Sequence, residues 1–159
     1  MVTDTSWTSK RREILEEHEE IRARILEIET ELDRLLDHPA QPGESWELPG
    51  LVEALRDQFR RHFEHEESGG LLWADSECYD SEMLRLVADL IAQHREFERE
   101  IERILSEFDF SFVPGKTVQS CFDGDLRNLI SEFAVHEAAE NVLLDKLVAR
   151  VEKQRRQLP

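Results

Sequence analysis

MLRLVADLIAQHREFEREIERILSEF, residues 83–108, places Met83, Val87, Leu90, His94, Phe97, Ile101, Ile104 and Phe108 at spacings that alternate between four and three. An α-helix turns once in about 3.6 residues, so that alternation draws one stripe along one helix face and leaves the charged residues on the other. Upstream, the same alternation runs through Ile14, His18, Ile21, Ile25, Ile28, Leu32 and Leu35. Downstream it runs through Leu126, Leu129, Phe133, His136, Glu140, Leu143 and Leu147, and a shorter version links Leu55, Phe59, His62 and Glu66. Breakers separate these segments: His38-Pro39-Ala40-Gln41-Pro42-Gly43, then Ser68-Gly69-Gly70 on to about Asp80, then Asp109 to Gly124 with Pro114-Gly115 inside it. Helices are therefore expected over about 7–37, 50–68, 81–108 and 123–155. Pro49 suits a first turn, and Asp80 or Ser81 and Asp123 suit caps. Four one-faced helices on modest loops bury their stripes as an all-α, up-down-up-down four-helix bundle, one domain over residues 1–159.

The chain has 159 residues, enough for one domain with a sizeable core. Its 20 Lys+Arg against 36 Asp+Glu leave a net charge of −16, a surface that repels nucleic-acid phosphates and anionic lipid. Charged residues make up 35% of the chain, against about 25% in an average domain, which suits long amphipathic helices. No apolar run approaches the roughly 18 residues of a membrane-spanning helix. The opening MVTDTSWTSKRREILEE lacks the apolar stretch of a secretory signal. Cys78 and Cys121 fit neither a disulfide framework nor a metal knuckle. A reducing, cytoplasmic setting is expected, with no nucleic-acid and no membrane partner.

What interrupts the stripes points to function. Each of the four carries one histidine: His18, His62, His94 and His136. Two carry a glutamate one turn later, Glu66 after His62 and Glu140 after His136, so each pair turns a nitrogen and a carboxylate to the same face. An unpaired buried polar group costs on the order of 1–3 kcal/mol, and a carboxylate more, so these six need partners. A lone buried histidine usually finds a glutamate or a backbone group. With seams at about two positions in seven, however, four of six histidines on seams is roughly a one-in-twenty event by chance. Four imidazoles and two carboxylates converging in one core read as a metal site. Six ligands exceed the four that zinc usually takes and lack the all-oxygen character of calcium or magnesium sites. Imidazole mixed with carboxylate suits iron, manganese, zinc or copper. Two ions fit the count: two histidines each, Glu66 and Glu140 bridging, and a solvent-derived oxo or hydroxo bridge. On octahedral iron that leaves one open position, which suits dioxygen, nitric oxide or peroxide. Ferritin-like bundles use Glu-x-x-His; here the order is His-x-x-x-Glu, twice, which argues against a ferroxidase centre.

His18 in LEEHEEIRARI, His62 and Glu66 in FRRHFEHEESGGLL, His94 in AQHREFEREI and His136-x-x-x-Glu140 in FAVHEAAENVLL together resemble the hemerythrin-like, HHE cation-binding family, one motif per helix over nearly the whole chain. The resemblance implies a four-helix bundle around a non-haem di-iron centre, with His18, His62, Glu66, His94, His136 and Glu140 as metal ligands. It also implies a small diatomic ligand, dioxygen or nitric oxide, to be bound or sensed. Family members that reduce nitric oxide or peroxide or repair iron–sulfur clusters supply the alternative of a di-iron enzyme. The oxygen carriers of the family place a second histidine four residues after the one on the third helix, where this chain has Glu98. They also place a carboxylate five residues after the last histidine, where this chain has Asn141. Both departures argue against reversible oxygen transport and leave Glu98 as a seventh ligand or an exposed helix residue.

The remaining residues read more plainly. His65 is expected on the surface beside Glu66 and Glu67, and His38 in a loop. Trp7, Trp46 and Trp73 are expected to cover core ends. Phe59, Phe63, Phe97 and Phe133 are expected to wall the proposed ligands, and Glu16-Glu17 and Glu19-Glu20 to form a solvated face. His62 sits about 6 residues before the end of its helix and His94 about 13 into the next, an axial mismatch near 10 Å at 1.5 Å per residue. A second helix bent or resumed through Leu71-Leu72-Trp73 would close it.

Overall fold

A computed structural model of the protein describes residues 4–38, 47–68, 72, 79–110 and 119–156, without the side chains of 4–8, 109–110, 119–122, 151 and 154–155. Four helices follow in order: α1 (Asp4–Asp37), α2 (Leu48–Ser68), α3 (Ser81–Phe110) and α4 (Gln119–Arg156). α1 packs on α2 and α4, and α3 on α2 and α4, which is the neighbour pattern of an up-down-up-down four-helix bundle. No helix among the described residues is long and apolar enough to cross a membrane.

The apolar stripes meet along the axis in two clusters. The larger holds Ile21, Ile28, Leu32 and Leu35 from α1, Val52, Leu55, Phe59 and Phe63 from α2, Phe97, Ile101 and Ile104 from α3, and Leu126, Leu129 and Phe133 from α4. The smaller holds Ile14, Met83, Leu90, Leu143, Leu144 and Leu147 together with Leu72 and Tyr79 from the α2–α3 connection. Each fully buried large apolar side chain contributes roughly 1.5–3 kcal/mol, so both clusters clamp the layer between them. That layer contains His18, His62, Glu66, His94, His136 and Glu140, each at most 1% exposed.

The helix ends differ from the sequence expectation in instructive ways. Asp80 caps α3 as expected: its Oδ1 accepts from the Glu82 and Met83 amides at 3.1 and 3.0 Å. Asp123 does not cap α4, which begins at Gln119 and carries Gly124 inside it. A helical glycine costs about 1 kcal/mol relative to alanine. Here the buried Leu126 and Leu129 just beyond it hold the turn, and Asp123 pairs instead with Arg127 one turn on, at 3.2 Å. The expected continuation through Leu71 and Trp73 lies outside the described residues, as do Trp46, Cys78 and the side chains of Trp7 and Cys121. Leu72 is described, and it is buried at 8% exposure in the smaller cluster. Leu72 and Tyr79 thus pack beside α1, α3 and α4 in the smaller cluster.

Candidate metal centre

One turn of each helix supplies the layer, and the alternating spacing aims all six side chains at the bundle axis. His18 Nε2 lies 3.2 Å from His62 Nε2, and His94 Nε2 lies 3.2 Å from His136 Nε2. The carboxylates sit between the two pairs. Glu140 Oε1 is 2.7 Å from His136 Nε2 and 3.8 Å from His94 Nε2, while its Oε2 is 3.0 Å from His18 Nε2. Glu66 Oε2 is 3.4 Å from His94 Nε2 and 3.9 Å from His62 Nε2. Two overlapping clusters result: His18, His62, Glu66 and Glu140, and then His94, His136, Glu66 and Glu140. In each, the ligating atoms lie within 4.8 Å of one another. Both carboxylates belong to both clusters. Glu66, one turn beyond His62, carries the contribution of α2 toward His94.

The outward ring nitrogens explain the inward ones. His62 Nδ1 bonds Glu17 Oε2 at 2.8 Å, His94 Nδ1 bonds Glu67 Oε1 at 2.9 Å, and His136 Nδ1 bonds Gln93 Oε1 at 2.8 Å. His18 Nδ1 faces Glu137 Oε1 at 3.4 Å, an ion-pair distance without hydrogen-bond geometry. A carboxylate can only accept, so it holds the proton on Nδ1 and turns the Nε2 lone pair inward, the tautomer a metal ligand needs. The arrangement runs around the bundle. Glu17, beside His18 on α1, orients His62 on α2. Glu67, beside Glu66 on α2, orients His94 on α3. Gln93, beside His94 on α3, orients His136 on α4, and Glu137, beside His136 on α4, faces His18 on α1. Three of these partners are themselves anchored: Glu17 by His65, Glu67 by Arg95 and Glu137 by Arg22.

With the protons held outward, the centre is a buried cage of acceptors. Both oxygens of Glu66 and of Glu140 are buried without a well-formed hydrogen bond. Buried acceptors facing one another at these distances need cations between them, either protons or metal ions. The donor set of imidazole nitrogen and carboxylate oxygen suits first-row transition ions.

The protein's own groups show how protons compete for this place. Burial, reinforced by the charge of Glu140, pushes Glu66 up to about 7. Burial opposes charging His94, but the nearby carboxylates of Glu140 and Glu66 and its bond to Glu67 prevail and raise it to about 9. His62 is likewise raised against its burial by Glu17 and the site carboxylates. Burial wins at His136, which is lowered. Glu140 is held low against its burial by His136, His18 and His94. A group raised as His94 is contributes stability that is complete below its unfolded value near 6.5 and lost as pH rises through about 9. At about 1.36 kcal/mol per unit that contribution is of the order of 3 kcal/mol. Metal needs these ligands deprotonated, so its stabilisation grows over the same range. The melting temperature of chelator-treated protein should therefore fall from pH 6.5 to 9, while the gap to metal-loaded protein widens. Thermal melts followed by circular dichroism at fixed metal excess check this; a gap that narrows with pH contradicts it.

The other candidates fall outside the cage. His65 is half-buried and bonded through Nδ1 to Glu17 Oε1 at 2.8 Å, with Glu13 at 3.7 Å, rather than beside Glu66. Glu98 pairs with Arg95 at 3.7 Å and is in neither cluster. His38 is exposed. The four phenylalanines line one side of the cage: Phe63 stacks on His94 with centroids 3.9 Å apart, and Phe97 meets His136 edge-on at 5.3 Å. The reading of Glu16-Glu17 as solvated face fails at Glu17, which is drawn in by His62 and His65. Its burial opposes ionisation, but those two bonds hold it below the usual carboxylate range.

The family model for the hemerythrin HHE cation binding domain matches residues 9–147. The chain belongs to this family. No curated protein and no solved structure matches it significantly. The matched hemerythrin region contains all four helix turns of the cage and the four residues that face the outer ring nitrogens.

Proposed function

We propose that this is a non-haem di-iron protein in which His18, His62, Glu66, His94, His136 and Glu140 hold two ions, and which binds or senses a small ligand such as dioxygen or nitric oxide. The observation that carries the reading is the shared pair of carboxylates: Glu66 and Glu140 each lie within reach of both histidine pairs, as bridges between two ions must. Two histidines and two bridging oxygens per ion leave room for solvent and one exogenous ligand. A bound pair of iron ions supplies one-electron redox chemistry and open coordination for a diatomic molecule.

The chain's own residues support that use. The phenylalanine wall keeps water from one flank of the cage and holds His94 and His136 in place. A cleft of about 200 Å³ between α1 and α2, lined by Glu17, Glu20, Ile21, Gln58, Arg61 and His62, opens beside one residue of the ligand layer, His62. It suits a diatomic molecule and is smaller than the usual pocket for an organic substrate. Protein loaded anaerobically with ferrous iron and then given dioxygen or nitric oxide should show a stoichiometric, saturable change in its ultraviolet–visible spectrum. Many turnovers of nitric oxide or peroxide with an added reductant would favour the enzyme reading instead, and no spectral response would overturn both.

A further inference from the structure

The ring of partners around the four histidines is broken in charge at one place. His18 and His62 both face carboxylates, from Glu137 and Glu17, and His94 faces Glu67. His136 alone is met by a neutral amide, Gln93. A carboxylate that accepts the Nδ1 proton makes the imidazole more basic and strengthens it as a ligand; an amide oxygen does this much less. An amide differs in a second way. Glu17, Glu67 and Glu137 have no hydrogen to give, whereas a glutamine can turn its NH2 toward the ring. The His136 proton would then move to Nε2, where Glu140 Oε1 already waits at 2.7 Å. In that arrangement the Nε2 lone pair is occupied and His136 is no longer a ligand. His62 and His94, whose Nδ1 atoms are bonded to carboxylates, have no such alternative. The three carboxylates are also fixed from behind by Arg22, Arg95 and His65, whereas no ion pair anchors the uncharged Gln93.

We propose that Gln93 makes the two metal positions unequal: the His18–His62 position fills first and holds its ion tighter, and the His94–His136 position is the weaker, exchangeable one, with His136 its releasable ligand. This rests on the two-ion reading of the cage. Gln93 is here a positioning residue that acts through His136.

The test is an anaerobic calorimetric titration of the full chain with cobalt(II), followed in parallel by the cobalt visible bands. Wild type should bind two equivalents in two resolved steps. Gln93→Glu should tighten the weaker step about tenfold, and Gln93→Leu, which can neither accept nor donate, should weaken it about 10–100-fold, both with the tighter step unmoved. Glu17→Gln should weaken the tighter step instead. Gln93 is half-buried at the flank of α3 and neither change alters the apolar core, so both metal-stripped variants should fold with the helical content of wild type. If Gln93→Glu and Gln93→Leu shift both steps alike, or neither, the inequality assigned to Gln93 is wrong while the two-ion cage stands. If wild type takes up fewer than two equivalents, the cage reading fails and the inequality falls with it.

Discussion

Glu140→Ala should leave the protein unable to hold two metal ions. Glu140 reaches His136 at 2.7 Å, His18 at 3.0 Å and His94 at 3.8 Å, and it is a member of both clusters. Its removal takes an anionic oxygen from each position at once and leaves Glu66 as the sole carboxylate in the cage. Losing an outer partner of a ligand costs about 10–100-fold in metal affinity, so losing a shared inner one should cost at least 100-fold at the weaker position. Protein loaded with excess metal and passed through a sizing column should retain no more than one ion per chain by elemental analysis, with its helical content intact. Two retained ions would show that Glu140 is a buried structural carboxylate. Glu140→Asp, which keeps the charge but shortens the reach, should fall between.

The second large effect concerns the wall. Phe59 is 1% exposed and stands at the centre of an aromatic group, with ring centroids 4.8 Å from Phe133, 5.4 Å from Phe63 and 5.8 Å from Phe97. Phe59→Ala should cost about 3–5 kcal/mol, since the buried ring leaves a cavity that helix packing closes only in part. For a domain of this size that is roughly a 10 °C drop in melting temperature. Leu26, at 64% exposure, is the control, and Leu26→Ala should change little. The loss should reach the metal layer as well. Phe63, freed on one side, is the ring that stacks on His94, so metal affinity should weaken although no ligand is touched. Equal melting curves for Phe59→Ala and wild type would mean that the wall contributes nothing to the fold.

The helices and the six inward groups were legible because both depend on spacing alone. A 3/4 alternation can face only one way, and a histidine or glutamate standing on it is carried to the axis with the leucines. Val87 and Ile25 lie on the same stripes yet are only partly buried, since they fall at the edges of the packed faces. The α4 boundary was not legible. Gly124 and Asp123 look like a stop and a cap, but local preference of about 1 kcal/mol yields to the packing of Leu126 and Leu129. The orienting residues were also hidden. Glu17, Glu67 and Glu137 sit among acidic residues that outline a solvated face, and Gln93 has no charge to draw notice. Their signal was position. Each is next in sequence to an inward ligand, so each lies on the helix flank facing a neighbour and within reach of that neighbour's histidine. Which flank of a helix meets which partner is a property of the assembled bundle, and a single stripe does not carry it.

The central claim is that imidazoles from four helices and two shared carboxylates hold a pair of transition ions. X-ray absorption on protein reconstituted anaerobically with iron tests this most directly. The account predicts nitrogen and oxygen neighbours with an imidazole signature and a second iron under about 4 Å away. A single iron without a metal neighbour, or iron surrounded only by water oxygens, would contradict it.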